Sequence, residues 1–340
     1  MPGPNPLDVM PTMTGDLERV EGELLRAALS EDPYLTEIAA HLISAGGKRV
    51  RPGFAIAAAA TSTASTASSA SGPMDRETTR EVILAGVSVE LVHLGSLYHD
   101  DVMDDATTRR NVASVNARWG NLQAILAGDF LLARASEIAA SLGVEVAGLL
   151  AATISRLCEG QVLELRTTFD VTRDEASYLR SIEGKTASLL SSACRIGGIV
   201  AGIEAAHLDA LTVFGRAYGM AFQLVDDVLD LVSTDDELGK PAGHDMVEGV
   251  YTLPVIAALG GPDGAELARL LTDSMSEDDR WAALAIARDG GWIDDSIDRA
   301  RSYANQAHDA IASLPDSPGR RGLTAAAAYL VDSVEAAAAV

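Results

Sequence analysis

Two aspartate clusters with the same spacing constrain the fold of this chain more than any other feature. The first is "DDVMD" at residues 100–104, and the second is "DDVLD" at residues 226–230. Each cluster ends a run of apolar residues with helical spacing. One such cluster is also typical of an exposed helix turn, but aspartates are seldom buried without a partner. Two matched clusters therefore predict helices that present their carboxylates to a shared cavity.

The chain predicts helices almost throughout its 340 residues. Only 4% of the residues are aromatic, alanine dominates, and no alternating strand pattern of useful length is present. The predicted fold class is therefore all-α. Two helical patterns precede Gly46 and Gly47, and the later patterns cover about residues 76–104, 111–118, 121–142, 144–168, 174–201, 205–233, 249–260, 263–274, 278–289, 291–313 and 318–338.

A short leader and one domain are the predicted organisation. Residues 1–14 are rich in proline and lack periodicity, so we expect a flexible leader before a single domain at residues 15–340. Residues 60–73 read as a low-complexity loop. The N-terminus lacks the features of a signal peptide, and no run of about 18 apolar residues is evident. We therefore expect a cytoplasmic protein without a transmembrane segment.

The charge and the cysteines restrict the partners and the compartment. A net charge of −23 argues against nucleic acid or an anionic membrane surface as the main partner. Cys158 and Cys194 each lie in an apolar helical pattern without a CxxC partner. They predict reduced thiols in the core of a cytosolic protein.

A divalent cation accounts for the crowded aspartates. In a continuous helix Asp100 and Asp104 lie one turn apart, and Asp101 and Asp105 form a second pair. Carboxylate oxygens suit Mg²⁺, which takes one or two of them and leaves positions for phosphate oxygens. Unit charges about 4 Å apart interact with roughly 4 kcal/mol at an effective dielectric of 20, so a diphosphate needs cations between itself and these aspartates. A calcium loop is disfavoured, because the turn glycine and terminal glutamate are missing.

Basic residues complement the clusters. Arg109 and Arg110 follow the first cluster, and guanidinium groups match phosphate oxygens. In "AGGKRVRPGF" a Gly-Gly turn presents three cations that suit a second, metal-free anion site, although GGKR alone is equally typical of a surface turn. These cations are Lys48, Arg49 and Arg51. Lys185 with Thr186, and Lys240, are further candidates, although each lysine alone is typical of a helix end. Two anion sites predict two phosphorylated substrates.

Five motifs, in order, resemble those of the trans-isoprenyl diphosphate synthases, also called polyprenyl synthetases. They are "GGKRVRP", "LYHDDVMDDATTRR", "GKTASLL", "FQLVDDVLD" and "GKPAGHDMVEGVYTLP". The resemblance extends from about residue 20 to residue 335 and is strongest to actinobacterial-type long-chain members. It implies a single-domain orthogonal helical bundle of the isoprenoid synthase type around a central cavity, usually a homodimer. The implied reaction joins an allylic diphosphate to isopentenyl diphosphate, head to tail, and releases diphosphate.

The resemblance also implies roles for individual residues. Asp100, Asp101, Asp104, Asp226, Asp227 and Asp230 resemble Mg²⁺ ligands, with about three ions in each active site. Arg109, Lys185, Thr186, Gln223 and Lys240 match positions that hold the allylic diphosphate, and Lys48, Arg51, His93 and Arg110 match the isopentenyl diphosphate site. His99 is better interpreted as a supporting or packed residue. The chain departs from the family at Val250, where a lysine is frequent, and at His244, where asparagine is common.

Small residues before the first cluster bear on product length. Gly95, Ser96 and Val92 lie one to two turns before Asp100, where short-chain members carry bulky rings. Their small size predicts a product longer than geranylgeranyl diphosphate. The alternative interpretation is that they only permit close helix packing. A geranylgeranyl diphosphate synthase remains the second candidate, followed by a class I terpene cyclase and a non-catalytic synthase subunit.

Overall fold

The structure is a computed structural model, and it describes residues 6–62, 77–233 and 242–338. Within these ranges the chain is helical, and its strands are limited to one short hairpin, β1 (Thr108–Arg109) and β2 (Val112–Ala113). The prediction of an all-α fold is therefore confirmed. The first helices are α1 (Met13–Ala27), α2 (Pro33–Ser44), α3 (Val50–Ala59), α4 (Arg80–Met103), α5 (Val115–Trp119), α6 (Asn121–Leu142), α7 (Val144–Arg166) and α8 (Glu175–Ile182). The later helices are α9 (Ser188–Val200), α10 (Ala205–Val232), α11 (His244–Val247), α12 (Leu253–Leu259), α13 (Gly264–Leu270), α14 (Glu277–Asp289), α15 (Trp292–Ala310) and α16 (Pro318–Ala338).

Helix α4 lies at the centre of the bundle. It packs against α6, α3, α9 and α1, while α10 packs against α9 and α15. Buried residues occur on every side of α4, as expected for a helix with no solvated face. Phe54, Phe214 and Tyr218 supply an aromatic centre for the core, with Phe54 in edge-to-face contact with both other rings. The two aspartate clusters therefore lie at the C-terminal ends of two core helices.

Local signals set the limits of the helices that carry the site. The side chain of Thr79 caps α4 by accepting from the Val82 amide at 3.4 Å, and Asp174 caps α8 by accepting from the Ser177 amide at 2.7 Å. Helix α4 ends before Asp104, and Asp105 adopts a left-handed φ of 50°. The prediction that Asp105 pairs with Asp101 on one helix face is therefore wrong, because the helix ends between them.

Two interruptions differ from the predicted helices. A π-helical turn at Glu183–Ala187 separates α8 from α9 inside the predicted helix 174–201. The turn lies close to α7, because a Cβ on Gly160 would come within 2.8 Å of the Lys185 amide nitrogen. The hairpin replaces the start of the predicted helix 111–118, since Arg110 and Asn111 both have positive φ, as a tight hairpin turn requires.

Part of the predicted leader packs against the domain. Pro6–Val9 forms a 3₁₀ turn, and α1 begins at Met13. Leu7, Met10 and Met13 are buried in the main core, so their apolar spacing outweighs the local prolines. The ordered chain therefore starts earlier than the predicted boundary at residue 15. Residues 1–5 of the leader, and residues 63–73 of the predicted low-complexity loop, lie outside the described ranges.

Helices α4 and α7 are long and apolar enough to cross a membrane by length and composition, contrary to the expectation from the sequence. The apolar window of α4 is 72% buried, so α4 is a core helix, whereas that of α7 is only 22% buried. Cys194 is buried as predicted, but Cys158 on α7 is exposed. The prediction of a core thiol is wrong for Cys158, because that side of α7 does not face the core.

Candidate active site

The first aspartate cluster divides its side chains between two environments. Asp101 is fully buried, and its Oδ1 accepts a hydrogen bond from Nε of Arg109 at 2.7 Å and forms an ion pair with Nη2 at 2.7 Å. The side-chain amide of Asn116 donates to the Asp101 carbonyl at 3.0 Å. Asp101 therefore anchors Arg109 and the hairpin to the end of α4, while Asp100 and Asp104 lie one turn apart beside it.

Like charges crowd around Asp100 and Asp104. Burial, followed by the charges of Asp100 and Glu248, raises the pKa of Asp104 to about 6. Burial also raises the pKa of Asp100, with Glu164 adding to the effect and Lys185 opposing it. A cation would relieve this repulsion, so the end of α4 has the electrostatics of a cation site.

The second cluster is held by neighbouring side chains. Asp226 is exposed, whereas Asp227 and Asp230 are buried. Asp227 Oδ1 accepts from Nε2 of Gln223 at 2.8 Å, and its Oδ2 accepts from the hydroxyl of Tyr178. Burial, with Asp245 as the next contribution, raises the pKa of Asp227 well above its usual range.

Asp230 has a different environment. Its carbonyl accepts from the amide of Gly243 at 2.8 Å, and its Oδ2 accepts from the amide of Asp245 at 3.3 Å. It therefore attaches α11 to α10. Asp226 is the member of the second cluster that faces outward.

The π-helical turn lies between the two clusters. Lys185 forms an ion pair with Glu164 of α7 and acts electrostatically on Asp100 and Asp104. Its neighbour Thr186 donates to Oε1 of Gln223 on α10 at 2.8 Å. A π-helical turn is frequent at functional sites, and here it directs consecutive residues to two different helices, Lys185 to α7 and Thr186 to α10.

A cationic cluster forms the second candidate anion site. Arg51, His93 and Arg110 lie within electrostatic reach of one another, and Nη1 of Arg110 donates to the carbonyls of Leu42 and Gly46. Burial and the charge of Arg51 hold the pKa of His93 well below its usual range. Nε of Arg51 is buried without a hydrogen-bond acceptor. The arrangement suits an anion that would accept from these groups, with Lys48 exposed at its edge.

Arg49 does not join this anion site. Its guanidinium is buried and donates to Glu21 Oε1 at 2.5 Å, to Glu90 Oε1 at 3.0 Å and to the Ile43 carbonyl at 3.0 Å. These acceptors occupy the nitrogens that a substrate would need. Arg49 instead fixes the Gly-Gly turn to α1 and α4, which corrects the sequence assignment of this residue to substrate binding.

Comparisons with known proteins decide the family. A family model described as "Polyprenyl synthetase" matches residues 32–286. The chain belongs to the polyprenyl synthetase family. A nonaprenyl diphosphate synthase from Mycobacterium tuberculosis is 40% identical over 316 residues, which are 92% of this chain and 91% of that protein. The family prediction is therefore confirmed, and with it the assignment of this synthetase as a prenyl-chain-elongating enzyme.

Solved structures agree with the fold of this synthetase. A polyprenyl synthase from Caulobacter crescentus, complexed with calcium and isoprenyl diphosphate, superposes with a TM-score of 0.86 at 32% identity, covering 97% of this chain and 99% of that one. A geranylgeranyl pyrophosphate synthase from Corynebacterium glutamicum, complexed with the same two ligands, has a TM-score of 0.81 at 37% identity, covering 96% and 98%. The isoprenoid synthase architecture is thereby confirmed.

The donor set of the synthetase fits a divalent cation shared with a ligand. Among the residues that the structure describes, no group of three or more Asp, Glu, His and Cys side chains forms a complete metal site. Instead each cluster offers one or two carboxylates, Asp100 and Asp104 on one side and Asp226 on the other. Mg²⁺ commonly takes that number of protein ligands and completes its shell with phosphate oxygens and water.

The three residues predicted to control product length lie in different surroundings. A Cβ on Gly95 would lie 3.0 Å from the Gly128 carbonyl oxygen and 3.1 Å from Cγ of Leu132, so Gly95 permits close packing of α4 on α6. This contact agrees with the alternative interpretation, and the predicted role of Gly95 in product length stays a prediction. Val92 is fully buried, and Ser96 is half-buried with its hydroxyl bonded to the His93 carbonyl at 2.9 Å. Their roles stay predictions, and Lys240 lies outside the described ranges.

Sequence reasoning missed several residues of the site. Glu164 holds Lys185, Tyr178 holds Asp227, and Glu248 lies within electrostatic reach of Asp104. A signal was available for Tyr178, because it precedes Lys185 by seven residues, two turns along an apolar helical pattern. No comparable signal marked Glu164, and Glu248 lies inside the fifth motif without a role having been assigned to it.

Proposed function

We propose that this synthetase condenses an allylic diphosphate with isopentenyl diphosphate, head to tail and with Mg²⁺, to make a medium- or long-chain all-trans polyprenyl diphosphate. The observation that carries the proposal is that the site consists of two parts, one acidic and one basic. Lys185 acts on Asp100 and Asp104, and its neighbour Thr186 bonds to the helix of the second cluster, so the two clusters would line one cleft; Arg51, His93 and Arg110 form a separate cationic cluster. Two diphosphates with different chemical tasks fit such a site.

The allylic diphosphate would bind in the aspartate cleft. Asp100, Asp104 and Asp226 would hold the Mg²⁺ ions, which supply Lewis-acid stabilisation of charge on the leaving group when bound. Lys185 would exchange Glu164 for a phosphate oxygen, and Arg109 is oriented by Asp101 to donate to the same anion. Thr186 and Gln223, bonded to each other, would contact it from α10, with Lys240 assigned by resemblance.

Isopentenyl diphosphate would bind at the cationic cluster. Arg51 and Arg110 would neutralise its diphosphate, and neutral His93 would donate one hydrogen bond without adding charge. The allylic C–O bond breaks to give a carbocation, the alkene of isopentenyl diphosphate attacks it, and a proton leaves to the released diphosphate. Apolar residues of α4 would exclude water from the cation.

Product length distinguishes this proposal from the second candidate. The chain is 40% identical to a nonaprenyl diphosphate synthase and 37% identical to a geranylgeranyl pyrophosphate synthase, so identity alone does not separate them. Ser96 favours the longer product, because it is small and half-buried one turn before Asp100. Mass spectrometry of the dephosphorylated product tests this directly. A product longer than geranylgeranyl supports the proposal, and one that stops at geranylgeranyl supports the alternative.

Replacing Ser96 with phenylalanine should shorten the product, because the ring would fill the space where the growing chain leaves the site. The measurement is the chain-length distribution of products from farnesyl diphosphate and labelled isopentenyl diphosphate. Ser96→Ala is the matched control and should keep the wild-type distribution. An unchanged distribution in Ser96→Phe would remove Ser96 from the tunnel.

Homodimer formation is supported by an exposed apolar face. Leu122 and Leu126 on α6 are 74% and 65% exposed, and Val144 and Val162 on α7 are 91% and 54% exposed. Exposed residues of α7 recur with the four-and-three spacing of a helix seam, and most are small: Val144, Gly148, Ala151, Ser155, Cys158, Val162 and Leu165. A second copy of this chain would cover the seam, since the resemblance implies a dimer.

Replacing Val162 with aspartate should convert the dimer to a monomer, because a charge would be buried at the seam. Sedimentation velocity at micromolar concentration measures the change. Val213→Asp is a suitable control, since Val213 is similarly exposed (52%) but lies on α10. A monomeric wild-type protein would contradict the proposed dimer.

The charge and burial of the protein support a cytoplasmic location, and the composition of its site argues against the two remaining alternatives. The net charge of −23 and the burial of α4 favour a protein free in the cytoplasm. A class I terpene cyclase has no need of the Arg51 and Arg110 site, and a non-catalytic subunit has no need of two intact aspartate clusters. Incorporation of labelled isopentenyl diphosphate separates the proposed enzyme from both.

A further inference from the structure

A buried arginine and tyrosine lie behind the second aspartate cluster and are not assigned by the proposed reaction. Tyr178 of α8 is 1% exposed, and Arg173, in the segment before α8, is 5% exposed. The guanidinium carbon of Arg173 lies 5.6 Å from the centre of the Tyr178 ring, and Nη1 donates to the Tyr251 carbonyl at 3.0 Å. Nε and Nη2 of Arg173 are buried without hydrogen-bond acceptors. A buried cation with unused donors is costly, which points to a role beyond packing.

Tyr178 begins a chain of hydrogen bonds that crosses the site. Its hydroxyl donates to Asp227 Oδ2, while Gln223 donates to Oδ1 of the same carboxylate at 2.8 Å. Gln223 in turn accepts from Thr186 at 2.8 Å. Both oxygens of Asp227 are thus held by protein donors, which fixes the plane of the carboxylate. The contacts join α8, α10 and the π-helical turn into one unit.

The direction of each bond follows from the donors. The side-chain NH₂ of Gln223 donates to Asp227, so the side-chain carbonyl oxygen of Gln223 faces Thr186 and accepts from it. The side-chain amide therefore cannot flip without breaking both hydrogen bonds. Arg173 is a positive charge behind the tyrosine ring and within electrostatic reach of Asp227. It offsets the charge of a carboxylate buried at 4% exposure.

We propose that Tyr178, backed by Arg173, is a positioning residue that holds Asp227 and, through Gln223, Thr186 in the geometry that the metal-bound allylic diphosphate requires. The inference rests on the proposed function. Residues that orient the ligands of a metal commonly change metal affinity by about 10- to 100-fold when mutated. Tyr178 would act in this way on Asp226, which precedes Asp227 on α10, and on Thr186 at the other end of the chain of hydrogen bonds.

The test is the Tyr178→Phe variant, which removes one oxygen and keeps the ring beside Arg173. Free Mn²⁺ is measured by electron paramagnetic resonance as Mn²⁺ is titrated into the full chain with farnesyl thiolodiphosphate, an analogue that reacts very slowly. We expect Mn²⁺ to bind about 10-fold more weakly than to wild type. Arg173→Met should weaken binding in the same direction, and Arg173→Lys should bind closer to wild type.

Tyr218→Phe is the matched control, because Tyr218 is a buried tyrosine of the aromatic core. It should keep wild-type Mn²⁺ affinity, whatever its effect on thermal stability. Unchanged Mn²⁺ affinity in Tyr178→Phe, even with a lowered Tm, would overturn the inference, since a packing role predicts that result. Absence of Mn²⁺ binding in wild type would instead contradict the proposed function itself.

Discussion

Replacing Asp100 with asparagine should lower turnover by about 100- to 1,000-fold, because the Mg²⁺ that would stabilise charge on the leaving diphosphate would lose a carboxylate ligand. Asparagine keeps the shape of the side chain but removes the charge. The protein should remain folded, since burial already raises the pKa of Asp100 and the neutral side chain relieves repulsion with Asp104. Steady-state incorporation of labelled isopentenyl diphosphate at saturating Mg²⁺ measures the loss.

Asp105→Asn is the matched control within the same motif. Asp105 is exposed, and its left-handed backbone (φ 50°) is readily adopted by asparagine. This variant should retain activity close to wild type. Near-normal activity of Asp100→Asn with Mg²⁺ would contradict the role given to the first cluster.

Replacing Arg51 with glutamine should raise the KM for isopentenyl diphosphate by about 30-fold, equivalent to about 2 kcal/mol of binding free energy. Arg51 is half-buried, and its Nε is buried without a hydrogen-bond acceptor, so an anion would gain a desolvated, charge-assisted hydrogen bond there. Folding should not suffer, because burial, together with Arg110, disfavours the charge of Arg51. The measurement is initial rate against each substrate separately.

The allylic substrate supplies an internal control for Arg51→Gln, since its KM should change little. Arg118→Gln tests the loss of an exposed arginine that pairs with Glu37, and neither KM should change. If the KM for the allylic substrate changed more than the KM for isopentenyl diphosphate, Arg51 would belong to the allylic site. That result would contradict the assignment.

Apolar periodicity in the sequence predicted the features of the site that depend on a single helix. The positions of Asp100, Asp104 and Asp226 at the ends of core helices follow from apolar spacing, which is a property of neighbouring residues in sequence. The end of α4 was missed by one residue, because the left-handed backbone of Asp105 has no glycine to signal it. The π-helical turn was also missed; its Gly184 packs closely against Gly160 of α7, a contact between segments that periodicity does not report.

Contacts between distant segments were not predictable from the chain. Arg49 has the same chemistry as Arg51, yet Glu21 and Glu90 bind it, and both lie about 30 to 40 positions away. Gly95 resembles a tunnel residue in sequence but faces Gly128. Side-chain type therefore predicted the chemistry of the site. The different roles of similar residues, such as Arg49 and Arg51, are evident only from the tertiary structure.

The most direct test of the central claim is one incorporation assay with the full-length purified protein. Labelled isopentenyl diphosphate is incubated with farnesyl diphosphate and Mg²⁺, with and without excess EDTA, and the extracted products are separated by chain length. The account predicts label in polyprenyl products longer than geranylgeranyl and no incorporation with EDTA. Label that stays in isopentenyl diphosphate, or that is incorporated equally with EDTA, would contradict it.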